Sequence, residues 1–220
     1  MKALDYKTLK EQQRAERADH HQNLALRVHR ALSWLQRAEQ LDQDLDGRFI
    51  SLWIGFNAAY ATEINDEYRT SEQSVFRSFI NKLLELDKDG LLEKLVWQEF
   101  SGSIRVLLDN QYIFQDFWDS QNGKLPSGAW KDKFQQANEV AKKALGKRQT
   151  DVLLSIVLSR IYTLRNQIIH GGSTWNGKVN RDQLQDCSNL MGKLVPVIIH
   201  LMMENKNTLW GDAVYPVINL

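Results

Sequence analysis

At 220 residues, with 43% hydrophobic and 25% charged side chains, the chain has the profile of a globular protein long enough to bury a sizeable core. A formal net charge of +1 argues against a surface built to wrap long duplex nucleic acid, which is usually more basic, and leaves any basic surface local and contact with one or two phosphates open. A single cysteine excludes an intrachain disulfide and suits a reducing cytosol.

The N-terminal stretch carries Lys2, Lys7, Lys10, Arg14, Arg17, His20 and His21, diluted by Asp5, Glu11, Glu16 and Asp19. Mixed signs at this spacing predict a solvated helix face rather than a basic binding patch. MKALDYKTLKEQQ also lacks the apolar core of a secretion signal. Leu24, Val28, Ala31, Leu35, Ala38, Leu41 and Leu45 predict one long amphipathic helix, with Gly47 as its end. FISLWIGFNAAYATEI repeats the pattern through Phe49, Trp53, Phe56, Tyr60 and Ile64. The short connection between the two predicts an antiparallel hairpin. In the second helix Asn57 could line a cleft but reads rather as a satisfied buried amide, and Tyr60 as a packing residue.

LDQDLDG, at 41–47, imitates the start of a calcium loop, with Asp42, Asp44, Asp46 and Gly47 at the right spacing. The twelfth position of such a loop needs a bidentate glutamate to close the coordination shell, and here it is Trp53. An acidic turn between helices is the better reading. No HExxH and no Cys/His ligand spacing occurs, and His20 and His21, being adjacent, diverge on a helix. The sequence therefore implies no metal and no cofactor. It also contains neither a glycine-rich phosphate loop nor GxSxG.

From about 70 to 146 the pattern shortens. SEQSVFRSFINKLLEL predicts a helix capped by Ser71, GLLEKLVWQEF and SIRVLLDNQYIFQDFW predict short apolar helices, SQNGKLPSG is a loop, and WKDKFQQANEVAKKAL is amphipathic. Leu153, Val157, Ile161, Leu164 and Ile168 then line the face of a strongly apolar helix, on which Tyr162 reads as a packing residue. A last helix carries Leu184, Cys187, Met191, Leu194, Ile198 and Leu201, with a kink expected at Pro196. Cys187 reads as a small buried hydrophobe. KLVPVIIHLMM is the best membrane candidate, but it is too short, so a soluble intracellular protein is expected. The tail TLWGDAVYPVINL is apolar and should pack back on the body.

The fold class these elements imply is all-α, and the simplest assembly is a four-helix up-and-down core with a helical insertion between core helices 2 and 3. The core helices lie at about 22–68 and 149–205, the insertion at about 70–146, in one domain spanning 1–220.

The chemistry concentrates in LRNQIIHGG, at 164–172, where an apolar helix ends in Arg165, Asn166, His170, Gly171 and Gly172. At roughly 100° per residue, Asn166 and His170 share a face, and the long arm of Arg165 reaches toward it. A guanidinium binds phosphate oxygens and offsets charge growing on them. Imidazole is the side chain suited to proton transfer near neutral pH, and the negative end of a helix favours its cationic form. Asn166 would orient the imidazole or hold substrate. The competing reading is an ordinary helix cap, since Arg, His and Gly are all common at helix C-termini.

LRNQIIHGG resembles the signature of the HEPN superfamily, the Arg-x4-6-His helical domains of prokaryotic defence and toxin systems. FISLWIGFNAAYATEI is similar to the second helix of Apea-like and related plasmid-borne HEPN proteins. The resemblance implies a metal-independent endoribonuclease, cytoplasmic and homodimeric, in which two signatures face one RNA-binding cleft. It assigns Arg165 and His170 as the catalytic pair and Asn166 as the polar residue beside them, contacting substrate. The implied reaction is attack by the RNA 2′-OH, leaving a 2′,3′-cyclic phosphate and a 5′-hydroxyl. HEPN toxins paired with nucleotidyltransferase antitoxins often carry a tyrosine two residues after the histidine. Here that position is Gly172, so regulation at that tyrosine is not expected. The alternative within the same family is a catalytically silent scaffold that binds RNA, nucleotide or a protein partner.

Overall fold

A computed structural model describes residues 4–61, 72–213 and 215. All regular structure among them is helical. The chain divides into two compact units, Met1–Thr70 with Glu85–Asp89 and Ser188–Leu220, and Ser71–Leu84 with Gly90–Cys187.

In the first unit, α1 (Tyr6–Glu16) starts at Asp5, whose carboxylate accepts from the Thr8 amide at 2.8 Å. Lys7, Arg14 and Arg17 are exposed while Leu9 is buried, so this helix presents the expected solvated face. Lys2 lies outside the described residues. A single 3₁₀ turn (Arg17–Asp19) leads to α2 (Gln22–Glu39), and α3 (Leu45–Tyr60) follows. Arg27 bonds to the Ala59 carbonyl, and a Cβ on Gly55 would lie 3.4 Å from the Ala31 carbonyl. Rising positions on α2 thus meet falling positions on α3, and the two form the antiparallel hairpin expected. Leu32 and Leu35 of α2 pack in its core, as do Phe49, Trp53 and Phe56 of α3, each at most 1% exposed.

The boundary between these helices differs from the sequence reading. Helix α2 stops at Glu39, so Leu41 and Leu45 keep the apolar period without belonging to it. Gly47 does not end a helix; it lies in the first turn of α3. There Asp44 is the N-cap, accepting from the Gly47 amide at 3.0 Å. A Cβ on Gly47 would meet Asp44 Oδ2 at 2.5 Å, so glycine is what lets the capping carboxylate approach. The acidic run at 41–47 is a turn closed by that cap. Ile64, at the end of the second apolar pattern, and Ser71, the expected cap of the next helix, lie outside the described residues.

The tail returns to α2. Arg27 Nη2 donates to the Asp212 carbonyl at 2.6 Å, Asn23 Nδ2 to Asp212 Oδ1 at 2.5 Å, and Arg30 Nη2 to the Tyr215 carbonyl. Arg27 is 1% exposed. Burial lowers its pKa, with the Asp212 carboxylate acting in the opposite direction.

The second unit holds α4 (Glu72–Leu86) up to Leu84, and then α5 (Leu91–Lys94). Helix α5 runs into a π-helical turn at Leu95–Glu99, followed by α6 (Ser101–Asp109). SIRVLLDNQYIFQDFW is not one helix. It divides into α6, a 3₁₀ turn at Gln111–Ile113 and α7 (Gln115–Gln121), because the Asn110 side chain caps the Tyr112 amide and opens a new turn. Helix α8 (Ala129–Gly146) and helix α9 (Thr150–Ile169) follow, and α9 packs against α6, α8 and the 3₁₀ turn. Helix α9 is held at its start by Trp97, which donates to Thr150 Oγ1 at 2.9 Å, and by the Arg77–Asp151 ion pair at 3.1 Å.

The last helix, α10 (Arg181–Glu204), runs unbroken through Pro196. Leu184 and Cys187 are buried in the second unit, and Met191, Leu194, Ile198 and Leu201 in the first. Burial pushes the Cys187 thiol well up, with Asp186 adding to the effect, which makes it a packing group and not a nucleophile. One helix among the described residues is long and apolar enough to cross a membrane by length and composition. It is α9 and not the 193–203 stretch, and 56% of its apolar window is buried within the protein, as in a core helix.

Candidate active site

Helix α9 delivers the signature to the surface of the second unit. Leu153, Val157, Ile161 and Leu164 are buried, Arg165, Asn166, Gln167 and Ile168 are half-buried, and Ile169 to Gly172 are exposed apart from their backbone bonds. The apolar stripe therefore fades over the last turn, where the polar groups begin.

The helix ends in a complete left-handed cap. His170 is the last residue of near-helical geometry, at φ −89° and ψ 13°. Gly171 takes φ +73°, the Gly171 amide donates to the Ile168 carbonyl at 3.1 Å, and the Gly172 amide donates to the Gln167 carbonyl at 2.6 Å. This is the paired six-to-one and five-to-two pattern by which helices satisfy their last carbonyls. A Cβ on Gly172 would stand 2.9 Å from the Gln167 oxygen, so both glycines have a local structural reason.

Arg165 is braced from two sides. Its Nη1 donates to Asn166 Oδ1 at 2.8 Å, and its guanidinium carbon lies 5.8 Å from the Tyr162 ring centre. Its Nε is buried without a hydrogen-bond partner among the described residues. Tyr162 packs edge-on to Phe76 at 6.4 Å, in keeping with a packing role. The His170 imidazole, by contrast, makes no side-chain hydrogen bond with the described residues and is exposed.

The structure thus joins Arg165 to Asn166 and leaves His170 to solvent one turn further on. No hydrogen bond joins Asn166 to the imidazole among the described residues; its side-chain oxygen accepts from the neighbouring guanidinium. What this edge can do chemically follows from the two groups. A held cation can neutralise an oxyanion, and a solvent-facing imidazole can exchange a proton with it.

One residue in the signature was not singled out by its type. The Gln167 side chain donates to the Tyr112 carbonyl at 2.6 Å and accepts from Asn180 Nδ2 at 3.2 Å, while its own carbonyl takes the Gly172 amide. It ties the end of α9 to the 3₁₀ turn and to the loop before α10. Its only sequence signal is its place four residues before Gly171.

Elsewhere Asn57 is half-buried and its amide makes no hydrogen bond among the described residues, so it is not the satisfied buried amide expected. Tyr60 stacks on Phe56 at 4.5 Å and is a packing residue. His20 is buried, whereas His21 is exposed and accepts from the Asn23 amide through Nδ1. His200 Nδ1 lies 3.4 Å from Gln12 Oε1. Among the described residues no three His, Cys, Asp or Glu side chains gather with the geometry to hold a metal ion.

No family model, no curated protein and no solved structure matches this chain.

Proposed function

We propose that this chain is a metal-independent endoribonuclease of the HEPN type, with Arg165 and His170 as its catalytic pair. In this reading two copies bring their signatures to one RNA-binding cleft in the cytoplasm. The observation that carries it is the pairing on one helix end of a braced, half-buried guanidinium with a solvent-exposed imidazole.

The chemistry needs only those two side-chain types. A base removes the proton of an RNA 2′-OH, the O2′–P bond forms, the P–O5′ bond breaks, and the departing O5′ takes a proton. Imidazole serves as base in its neutral form and as acid in its protonated form, so two copies in one cleft would supply both. The guanidinium offsets charge on the non-bridging phosphate oxygens.

A second reading is a catalytically silent HEPN scaffold that binds RNA, nucleotide or protein. It is favoured by the cap itself, since both glycines are explained by helix termination and Arg165 already bonds to Asn166. Incubating the purified protein with single-stranded RNA in EDTA separates the two. Fragments ending in 2′,3′-cyclic phosphate and beginning with 5′-hydroxyl support the nuclease; intact RNA at enzyme excess supports the scaffold.

A further inference from the structure

Arg160 lies on α9 inside the second unit, and it is 3% exposed. Its Nε and Nη1 are buried with no hydrogen-bond partner among the described residues. Asp116, the carboxylate whose charge acts on it, is bonded to Lys133 Nζ at 2.5 Å instead. The guanidinium carbon lies 4.3 Å from the Phe114 ring centre and 5.3 Å from that of Phe134. Aromatic faces offset part of a buried positive charge, but they supply no lone pair to the N–H groups. A buried cation with open donors is an expensive feature for a fold to keep unless something accepts from it.

Arg160 and Phe114 line a cavity of about 380 Å³, whose other walls include Ile113, Ala137, Val140 and Ile156. That volume falls within the range of small-molecule sites, which combine apolar walls with few polar groups. We propose that this cavity binds a small organic carboxylate with an apolar body, the Arg160 side chain turning its buried N–H edge to the carboxylate while the body lies against the aliphatic wall and Phe114.

The charge and hydroxyl pattern narrows the class. Among the described residues Arg160 is the one cation lining the cavity, and Asp116 adds negative charge near it, which favours a singly charged carboxylate over a phosphate dianion. Ser159 and Thr163 also line it, but each hydroxyl donates to a backbone carbonyl, Ser155 at 3.0 Å and Ser159 at 3.2 Å. Gln115 lines it too, and its Nε2 donates to Asp119 Oδ1 at 3.0 Å, so Arg160 is the charged donor that an incoming anion meets. The cavity lies apart from the Arg165 and His170 side chains, so this site is independent of whether the chain cleaves RNA.

The test is calorimetric titration of the full chain with hexanoate, phenylpropionate, neutral hexanamide and inorganic phosphate. Saturable binding of one carboxylate per chain is expected, with hexanamide and phosphate at least about 10-fold weaker. Arg160→Met keeps an unbranched apolar arm between the rings and removes the charge. Ala137→Phe fills the cavity and leaves the guanidinium in place. Each should weaken carboxylate binding by at least about 10-fold while the circular dichroism stays helical. The proposal is overturned if neither carboxylate saturates, if hexanamide or phosphate binds as well, or if folded Arg160→Met binds unchanged. Should Arg160→Met fail to fold, unchanged binding by Ala137→Phe overturns it alone.

Discussion

The amide of Gly172 reaches back to the carbonyl of Gln167 at 2.6 Å, and this bond closes the turn that carries His170. Gln167 is fastened at its other end to Tyr112 and Asn180, so the imidazole sits on a turn anchored from both directions. The exposed residue of the signature is thus positioned by backbone geometry, while the half-buried Arg165 is positioned by its side chain.

Gly171→Ala forces a side chain into the left-handed region, at a cost of about 1–2 kcal/mol. Gly172→Ala sets a Cβ against the Gln167 oxygen and should also lose stability. Urea unfolding checks both, with Gly177→Ala unsuitable as a control because its Cβ would also crowd Thr174. Gly102, where an added Cβ meets nothing within 4 Å, is the proper comparison.

His170→Ala removes an exposed side chain with no hydrogen bond among the described residues, so its stability should stay within about 0.5 kcal/mol of the parent. If the nuclease reading holds, RNA cleavage falls by ~10²–10⁴-fold in the same variant. Unchanged cleavage would remove His170 from the mechanism.

Arg27→Met leaves the Ala59 and Asp212 carbonyls without their guanidinium donor. A loss of about 1–3 kcal/mol is expected for the buried Ala59 acceptor, and less for the Asp212 carbonyl, whose residue is exposed. Because one of these carbonyls belongs to the tail, limited proteolysis should also cut near Gly211 faster in this variant than in the parent.

Asp44→Ala removes the cap of α3 at the point where the hairpin turns. About 1 kcal/mol should be lost in denaturant unfolding, and Asp44→Asn should recover most of it, since its side-chain oxygen can still accept from Gly47.

Cys187 is completely buried, and its thiol is held well above the ordinary range by that burial. A disulfide reagent at pH 8 should react with it only in denaturant. Rapid reaction in native buffer would show that α10 opens around it.

The sequence by itself determined that this is an all-helical chain, and that one strongly apolar helix of it ends in a cluster of polar residues. Those properties are local: a 3.6-residue period, a capping side chain and a pair of glycines act within one or two turns. The end of α2 shows the limit even there, because Leu41 and Leu45 continue the stripe while Asp44 has already started another helix. Only the tertiary structure decided that Asn166 turns to Arg165, that Gln167 reaches Tyr112 across 55 residues, and that Arg160 sits between two phenylalanines. The reason is physical. A side chain chooses its partner from whatever folding brings within about 3 Å, and that neighbourhood is set by packing between segments far apart in the chain.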